Sequence, residues 1–249
     1  AMEKQVFVKI VVNNNDTTGK IIIDGKIPEE NAFREFTKHV KHNSVVVDIG
    51  TCYGQYALIC SRLAFNGLII AIEPSPYHFE MLKKGIELNN IKNIIPLNIA
   101  LSDYKGTSKL FICNDHIEGG TLFKDKLKQE LNCEPDKEID INVNTLDNIL
   151  KELNIDYNTI DMIKIDVEGA ELKIIKGMKN VLTQSKNVIL LTEYATHAIT
   201  ASGENSKDFI EYLINRFKEV KIITEDKPAK IIILNKNNID KYINIDCTS

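Results

Sequence analysis

The sequence has no tryptophan, no apolar run long enough to cross a bilayer, and no pair of cysteines at Cys-x-x-Cys spacing. The first absence accompanies a composition rich in Ile, Lys and Asn and carries no functional meaning. The second excludes a membrane-spanning helix. The third excludes a zinc site legible in the sequence, and an odd set of cysteines (Cys52, Cys60, Cys113, Cys133 and Cys247) argues against a disulfide framework. Reduced thiols and a cytoplasmic setting are the expectation. Ala1 to Lys9 carries charges at Glu3, Lys4 and Lys9 and no long apolar stretch, so it does not read as a signal peptide. A basic excess is also lacking. The formal net charge is -4, with Lys scattered and balanced by Asp and Glu, which argues against a nucleic-acid partner. No internal repeat and no low-complexity linker interrupts the chain.

What is present is a 249-residue chain of 43% hydrophobic composition, enough to bury a good core. Val6 to Val12 and Lys20 to Ile23, joined by the turn-prone Asn13-Asn14-Asn15-Asp16, read as an amino-terminal β-hairpin. A helix from Pro28 to about His42 follows. Residues 1–43 are therefore expected to pack as a hairpin and helix on a core formed by residues 44–249. From Ser44 onward, short apolar runs alternate with amphipathic helices. The runs are Val45 to Val47, Leu68 to Ile72, Ile94 to Leu97, Met162 to Ile165 and Val188 to Leu191. Strands covered on both faces by crossover helices have this composition. The pattern predicts a doubly wound, mostly parallel α/β sheet of Rossmann-like type, binding its ligand beyond the carboxyl ends of the strands. A single helix is expected from Glu168 to Leu182. Val220 to Ile223 and Lys230 to Leu234 read as an antiparallel carboxyl-terminal hairpin. Residues 104–145 form an insertion, with strands at Ser108 to Cys113 and Ile139 to Val143. Glu118-Gly119-Gly120-Thr121 within it could serve as a lid.

The most informative stretch is Val45-Val46-Val47-Asp48-Ile49-Gly50-Thr51-Cys52-Tyr53-Gly54-Gln55-Tyr56. A buried strand ends in an acid, a glycine-containing loop turns, and a helix begins. Dinucleotides and S-adenosylmethionine both use such a turn. A dinucleotide needs G-x-G-x-x-G so that its pyrophosphate can rest on backbone amides. Here Asp48 stands where the first of those glycines belongs, and a carboxylate would repel pyrophosphate. S-adenosylmethionine has no phosphate and carries positive charge, so an acidic strand end suits it. Asp48 could instead simply cap the following helix. Glu73, in Ala71-Ile72-Glu73-Pro74-Ser75-Pro76, is a second acid at a strand end, placed to accept ribose hydroxyls. The expected cofactor wall is thus Asp48, Gly50, Thr51, Gly54, Gln55, Tyr56, Glu73 and Ser75, with Ala100 and Leu101 flanking the adenine.

Three segments together resemble the FkbM-type methyltransferases. They are Asp48 to Tyr56, then Glu73-Pro74-Ser75 with Asn98 to Asp103, and Ile163-Lys164-Ile165-Asp166-Val167-Glu168-Gly169-Ala170-Glu171. Thr145-Leu146-Asp147 also fits the family pattern. The resemblance implies a class I fold and methyl transfer from S-adenosylmethionine, often to a hydroxyl of a sugar or natural product. Thr51-Cys52 departs from the Ala-Asn usual in the first loop, which could alter loop packing or a cofactor contact.

A hydroxyl acceptor needs a base close to the transferred methyl. Asp166 and Glu168 follow the fourth strand and Glu193 ends the fifth, so these three are the expected catalytic residues. Asp166 is the first choice, as base or as a ligand for the acceptor or a metal. Asp166 and Glu168 would also suit a helix amino terminus. The same three acids could hold a divalent ion, but no metal is expected. His197 and His116 are minor candidates for the base. The expected partner is a small-molecule or glycan hydroxyl acceptor, without nucleic acid. A homo-oligomer could form through the amino-terminal hairpin. An NAD-dependent oxidoreductase and a nucleic-acid methyltransferase remain as alternatives. The former lacks its glycine motif, and the latter lacks an Asn/Asp-Pro-Pro-Tyr segment.

Overall fold

The computed structural model describes residues 6–113, 116–124 and 133–239. Chain order begins with helix α1 (Thr17–Ile23) and helix α2 (Glu30–Thr37), followed by strand β1 (Val45–Ile49), α3 (Gln55–Leu63), β2 (Leu68–Ile72), α4 (Pro76–Leu88) and β3 (Ile94–Leu97). Strand β4 (Ala100–Leu101) follows, and the insertion supplies β5 (Gly106–Cys113), β6 (His116–Thr121) and β7 (Lys137–Asn144). Then come α5 (Leu146–Glu152), β8 (Met162–Ile165), α6 (Glu171–Lys176), α7 (Lys179–Gln184), β9 (Ile189–Thr192), α8 (Thr196–Ala201), α9 (Ser206–Arg216), β10 (Val220–Ile223) and β11 (Ile231–Leu234).

The apolar runs form one parallel five-stranded sheet in the order β3-β2-β1-β8-β9. The order reverses between β1 and β8, so their carboxyl ends open a crevice there. Alternate residues of each strand face opposite sides. On one side Val47, Ile49, Ile70, Ile163 and Ile165 pack with Leu146, Leu150, Ile175 and Phe209. On the other, Val46, Ile69 and Met162 pack with Leu58, Leu82, Phe33 and Phe36. Phe33 and Phe36 both meet the Tyr56 ring edge-on, at 5.0 and 5.6 Å between centroids. Burying each is worth about 1.5–3 kcal/mol, which fastens α2 over the sheet.

The strands of the insertion join β4 in a second, four-stranded sheet in the order β4-β7-β5-β6. Its small core comprises Ala100, Leu110, Ile141 and Val143. β10 and β11 pair antiparallel as a separate hairpin. Among the described residues, no helix is long and apolar enough to cross a membrane.

Four expectations are corrected. The amino-terminal hairpin is not formed: Lys20 to Ile23 belongs to α1. The turn-prone run ending in Asp16 is a helix start, where the Asp16 carboxylate accepts the N–H of Gly19 at 2.5 Å. Upstream, the backbone of Lys9 bonds the side-chain amide of Asn89 in both directions, at 2.9 and 2.6 Å, in place of a neighbouring strand. The proposed edge for pairing between copies therefore falls away. Second, the helix expected from Pro28 to His42 is shorter, running from Glu30 to Thr37. Third, the helix expected over 168–182 begins only at Glu171 and breaks at Gly177-Met178. Fourth, Cys113 and Cys133 are joined in a disulfide, so not all thiols are reduced. Their spacing gives no hint of this, because it is the fold of the insertion that brings Cys133 back to the end of β5. Cys247 lies outside the described residues, as does part of the polar run 114–137. Glu118 to Thr121 runs within β6.

Candidate active site

The loop after β1 closes on β8. Gly50 has a left-handed backbone with φ 73°, and a Cβ there would stand 1.8 Å from the Asp166 carbonyl oxygen. Only glycine permits that approach. Asp48 does not reach into the crevice. It shares a strand face with Val46, so it points toward α3, where its carboxylate accepts the Thr51 hydroxyl at 2.5 Å and the Ala57 N–H at 3.0 Å. The capping alternative describes it better than a cofactor contact. Burial raises its pKa, against the pull of Lys164.

Lys164 occupies the position of β8 in register with Asp48. Its ammonium is buried, donates to the Gly50 carbonyl at 2.9 Å, and lies 3.7 Å from Asp48 and 3.2 Å from Asp166. Burial opposes its charge, but Asp166 and Asp48 together outweigh that and its pKa is raised. This lysine, quoted above only within its motif, is the structural hub of the site. A lysine inside a continuous apolar strand was the signal available for it.

Glu73 ends β2 and is buried beside the same loop. One carboxylate oxygen accepts the N–H of Cys52 and the other the N–H of Ser75, both at 2.8 Å. Burial raises its pKa to about 7, while these two N–H groups pull it down. The Thr51-Cys52 departure leaves the backbone contact in place, since Cys52 acts through its amide. Ser75 accepts the N–H of His78 and caps α4.

Across the crevice stand Asp166, Glu168 and Glu193, each offering an oxygen within 4.8 Å of the others. Glu168 sits in a turn ahead of α6 with φ 61°. That turn is braced by Glu171, whose carboxylate accepts the N–H groups of Val167 and Gly169 at 3.1 and 3.2 Å. Glu193 is largely buried, and its pKa is raised by burial and then by Asp166, Glu168, Glu171 and Glu29. Glu29, at the amino end of α2, is raised to about 7 by burial and by Asp166. It went unrecognised in the sequence because Pro28-Glu29-Glu30 reads simply as a helix start. Its backbone is left-handed, with φ 48°.

These groups line one cleft of about 740 Å³, within the range of ligand sites. Of the expected cofactor residues, Gly50, Thr51, Gln55, Tyr56, Glu73, Ala100 and Leu101 reach its wall. Asp48, Gly54 and Ser75 do not, and hold the wall from behind. Asp166, Glu168, Glu193 and His197 all reach it. Beyond the expected set, α1 contributes Thr17 and Ile21, the insertion contributes Leu110 and Leu122, and the β10–β11 turn contributes Glu225 and Lys227. The Glu225 carboxylate accepts the N–H groups of Asn31 and Ala32 at 3.0 and 2.9 Å, tying that turn to the start of α2. His116 lies on β6.

The model of the methyltransferase FkbM domain matches residues 48–220. Among known proteins, Methyltransferase sdnD of Sordaria araneosa is 29% identical over 181 residues, covering 61% of this chain and 70% of that protein. Hexuronic acid methyltransferase AglP of Haloferax volcanii is 27% identical over 197 residues, covering 79% of this chain and 71% of that protein. Methyltransferase 1 of Beauveria bassiana is 24% identical over 147 residues, covering 55% and 59%.

Proposed function

This chain belongs to the FkbM methyltransferase family, which is S-adenosylmethionine-dependent, and we propose that it methylates a hydroxyl on a sugar, glycan or small natural product. The observation that carries this reading is the placement of Asp166, Glu168 and Glu193 in the same cleft as the Glu73 loop. One side of the cleft suits a nucleoside and the other suits the handling of a proton.

The residues present fit the cofactor. Each Glu73 oxygen accepts a single backbone N–H, so lone pairs remain for ribose hydroxyls. Ile72, Ile99, Ala100 and Leu101 form an apolar wall suited to a purine. Gly50, Thr51, Gln55 and Tyr56 line the turn beside them. The acidic lining suits a cationic, phosphate-free nucleoside and opposes a dinucleotide. When bound, S-adenosylmethionine supplies an electrophilic methyl group on a sulfonium.

The chain's own residues do the rest. Asp166 accepts the proton of the acceptor hydroxyl. Glu193 and Glu168 bind neighbouring hydroxyls and orient them. The inner face of the insertion, with Leu110 and Leu122, and α1, with Ile21, screen the cleft from water. Lys26 and Lys227 on the cleft wall favour an acceptor that carries a carboxylate. A relative named for a hexuronic acid supports that class.

The test is transfer of labelled methyl from S-adenosylmethionine to a panel of uronic acids, neutral sugars and polyhydroxylated natural products. Label is expected in an acid- and base-stable ether on a uronic acid or another hydroxylated acceptor. Label appearing only in nucleic acid or at an amine would contradict the reading.

A further inference from the structure

We propose that Asp166, Glu168 and Glu193 bind a divalent cation of the magnesium or manganese kind at the acceptor end of the cleft. The three carboxylates bring oxygen atoms within 4.8 Å of one another, close enough for all to reach one ion. A second, independent observation points the same way. Oε2 of Glu193 is shut away from solvent and has no hydrogen-bond partner among the described residues. A buried carboxylate oxygen left without a partner is expensive, and a cation is the ligand that would satisfy it.

The surroundings agree. The Lys164 ammonium is already engaged with the Gly50 carbonyl, Asp48 and Asp166. Glu29 adds a further carboxylate whose charge is felt at Glu193. Glu168 is held toward the cluster in a left-handed turn, which Glu171 fixes from below. The turn therefore spends conformational energy to keep this carboxylate where it is. The donors are all oxygen, which selects magnesium, manganese or calcium over zinc. Three carboxylates leave coordination positions for water or for the hydroxyls of the acceptor. An acceptor hydroxyl bound to the ion would lose its proton to Asp166 or to water more readily. This consequence rests on the methyl-transfer reading; the ion site itself does not.

The test is binding of Mn²⁺ to the full chain without cofactor, followed by electron paramagnetic resonance, with Mg²⁺ as competitor. Wild type should bind one equivalent saturably and release it to Mg²⁺. E193Q and E168Q should each weaken binding by roughly 10- to 100-fold. Calorimetric affinity for S-adenosylhomocysteine should change by less than about twofold in the same variants, as for independent sites. Unchanged cofactor binding also shows that the variants are folded. No saturable equivalent in wild type, or wild-type Mn²⁺ affinity in both variants, would overturn the proposal. If Mn²⁺ binds as described while S-adenosylhomocysteine does not, the ion site stands and the cofactor assignment fails.

Discussion

Lys164 and Asp48 lie side by side in register on adjacent parallel strands, with the Lys164 ammonium 3.7 Å from the Asp48 carboxylate and both side chains buried. The same ammonium reaches the Gly50 carbonyl at 2.9 Å and Asp166 at 3.2 Å. One cation therefore ties the glycine turn to the acidic cluster.

Replacing Lys164 with Met should leave the Asp48 charge buried without its counterpart. Losing one member of a buried pair typically destabilises by about 3–5 kcal/mol. Urea unfolding of K164M should show this loss, and adding D48N should recover a large part of it. A K164M protein as stable as wild type would mean that the pair is not coupled.

Glu73 and Glu171 give a pH prediction. Burial raises both to about 7. Their folded values stand above the unfolded ones, so the native state holds more protons than the unfolded state between about pH 4.5 and 7. Their contribution is complete below that window and is lost as pH rises through about 7. The ligand-free protein should melt at a lower temperature at pH 8 than at pH 6. Affinity for S-adenosylhomocysteine should move the other way, because ribose hydroxyls donate to the ionised form of Glu73. Melting curves and calorimetry across that range provide the check, with E73Q flattening the affinity trend and reducing the melting trend to the share of Glu171.

Of the five left-handed non-glycine residues among the described residues, Glu29, Cys52 and Glu168 line the cleft, while Asn90 and Asn154 lie away from it. A left-handed L-residue costs roughly 1–2 kcal/mol. E168G should therefore raise stability by about 1 kcal/mol while lowering methyl transfer severalfold. Denaturant midpoints and turnover measured on the same preparation test the trade. A destabilised E168G would show that the turn is unstrained.

The sheet was legible because each apolar run is short, uninterrupted and followed by an amphipathic helix. The acids at the ends of β2, β8 and β9 were legible for the same reason. The direction of Asp48 was not read, although strand alternation places it on the α3 side with Val46. The amino-terminal segment misled because turn residues that open a hairpin also cap helices, and Asp16 caps α1. Glu29 and Glu225 reach the cleft through tertiary packing, from segments near opposite ends of the chain that stand in no periodic relation to the motifs; the docking of α2 on the β10–β11 turn brings them together.

Calorimetric titration of S-adenosylhomocysteine into wild type and E73A tests the cofactor site most directly. Wild type should bind one equivalent, and E73A, with its ribose contact removed, should bind roughly 10- to 100-fold more weakly, as expected for losing about 1.5–3 kcal/mol of charged hydrogen bonding. Absence of binding to wild type, or equal affinity in the two proteins, would contradict the account.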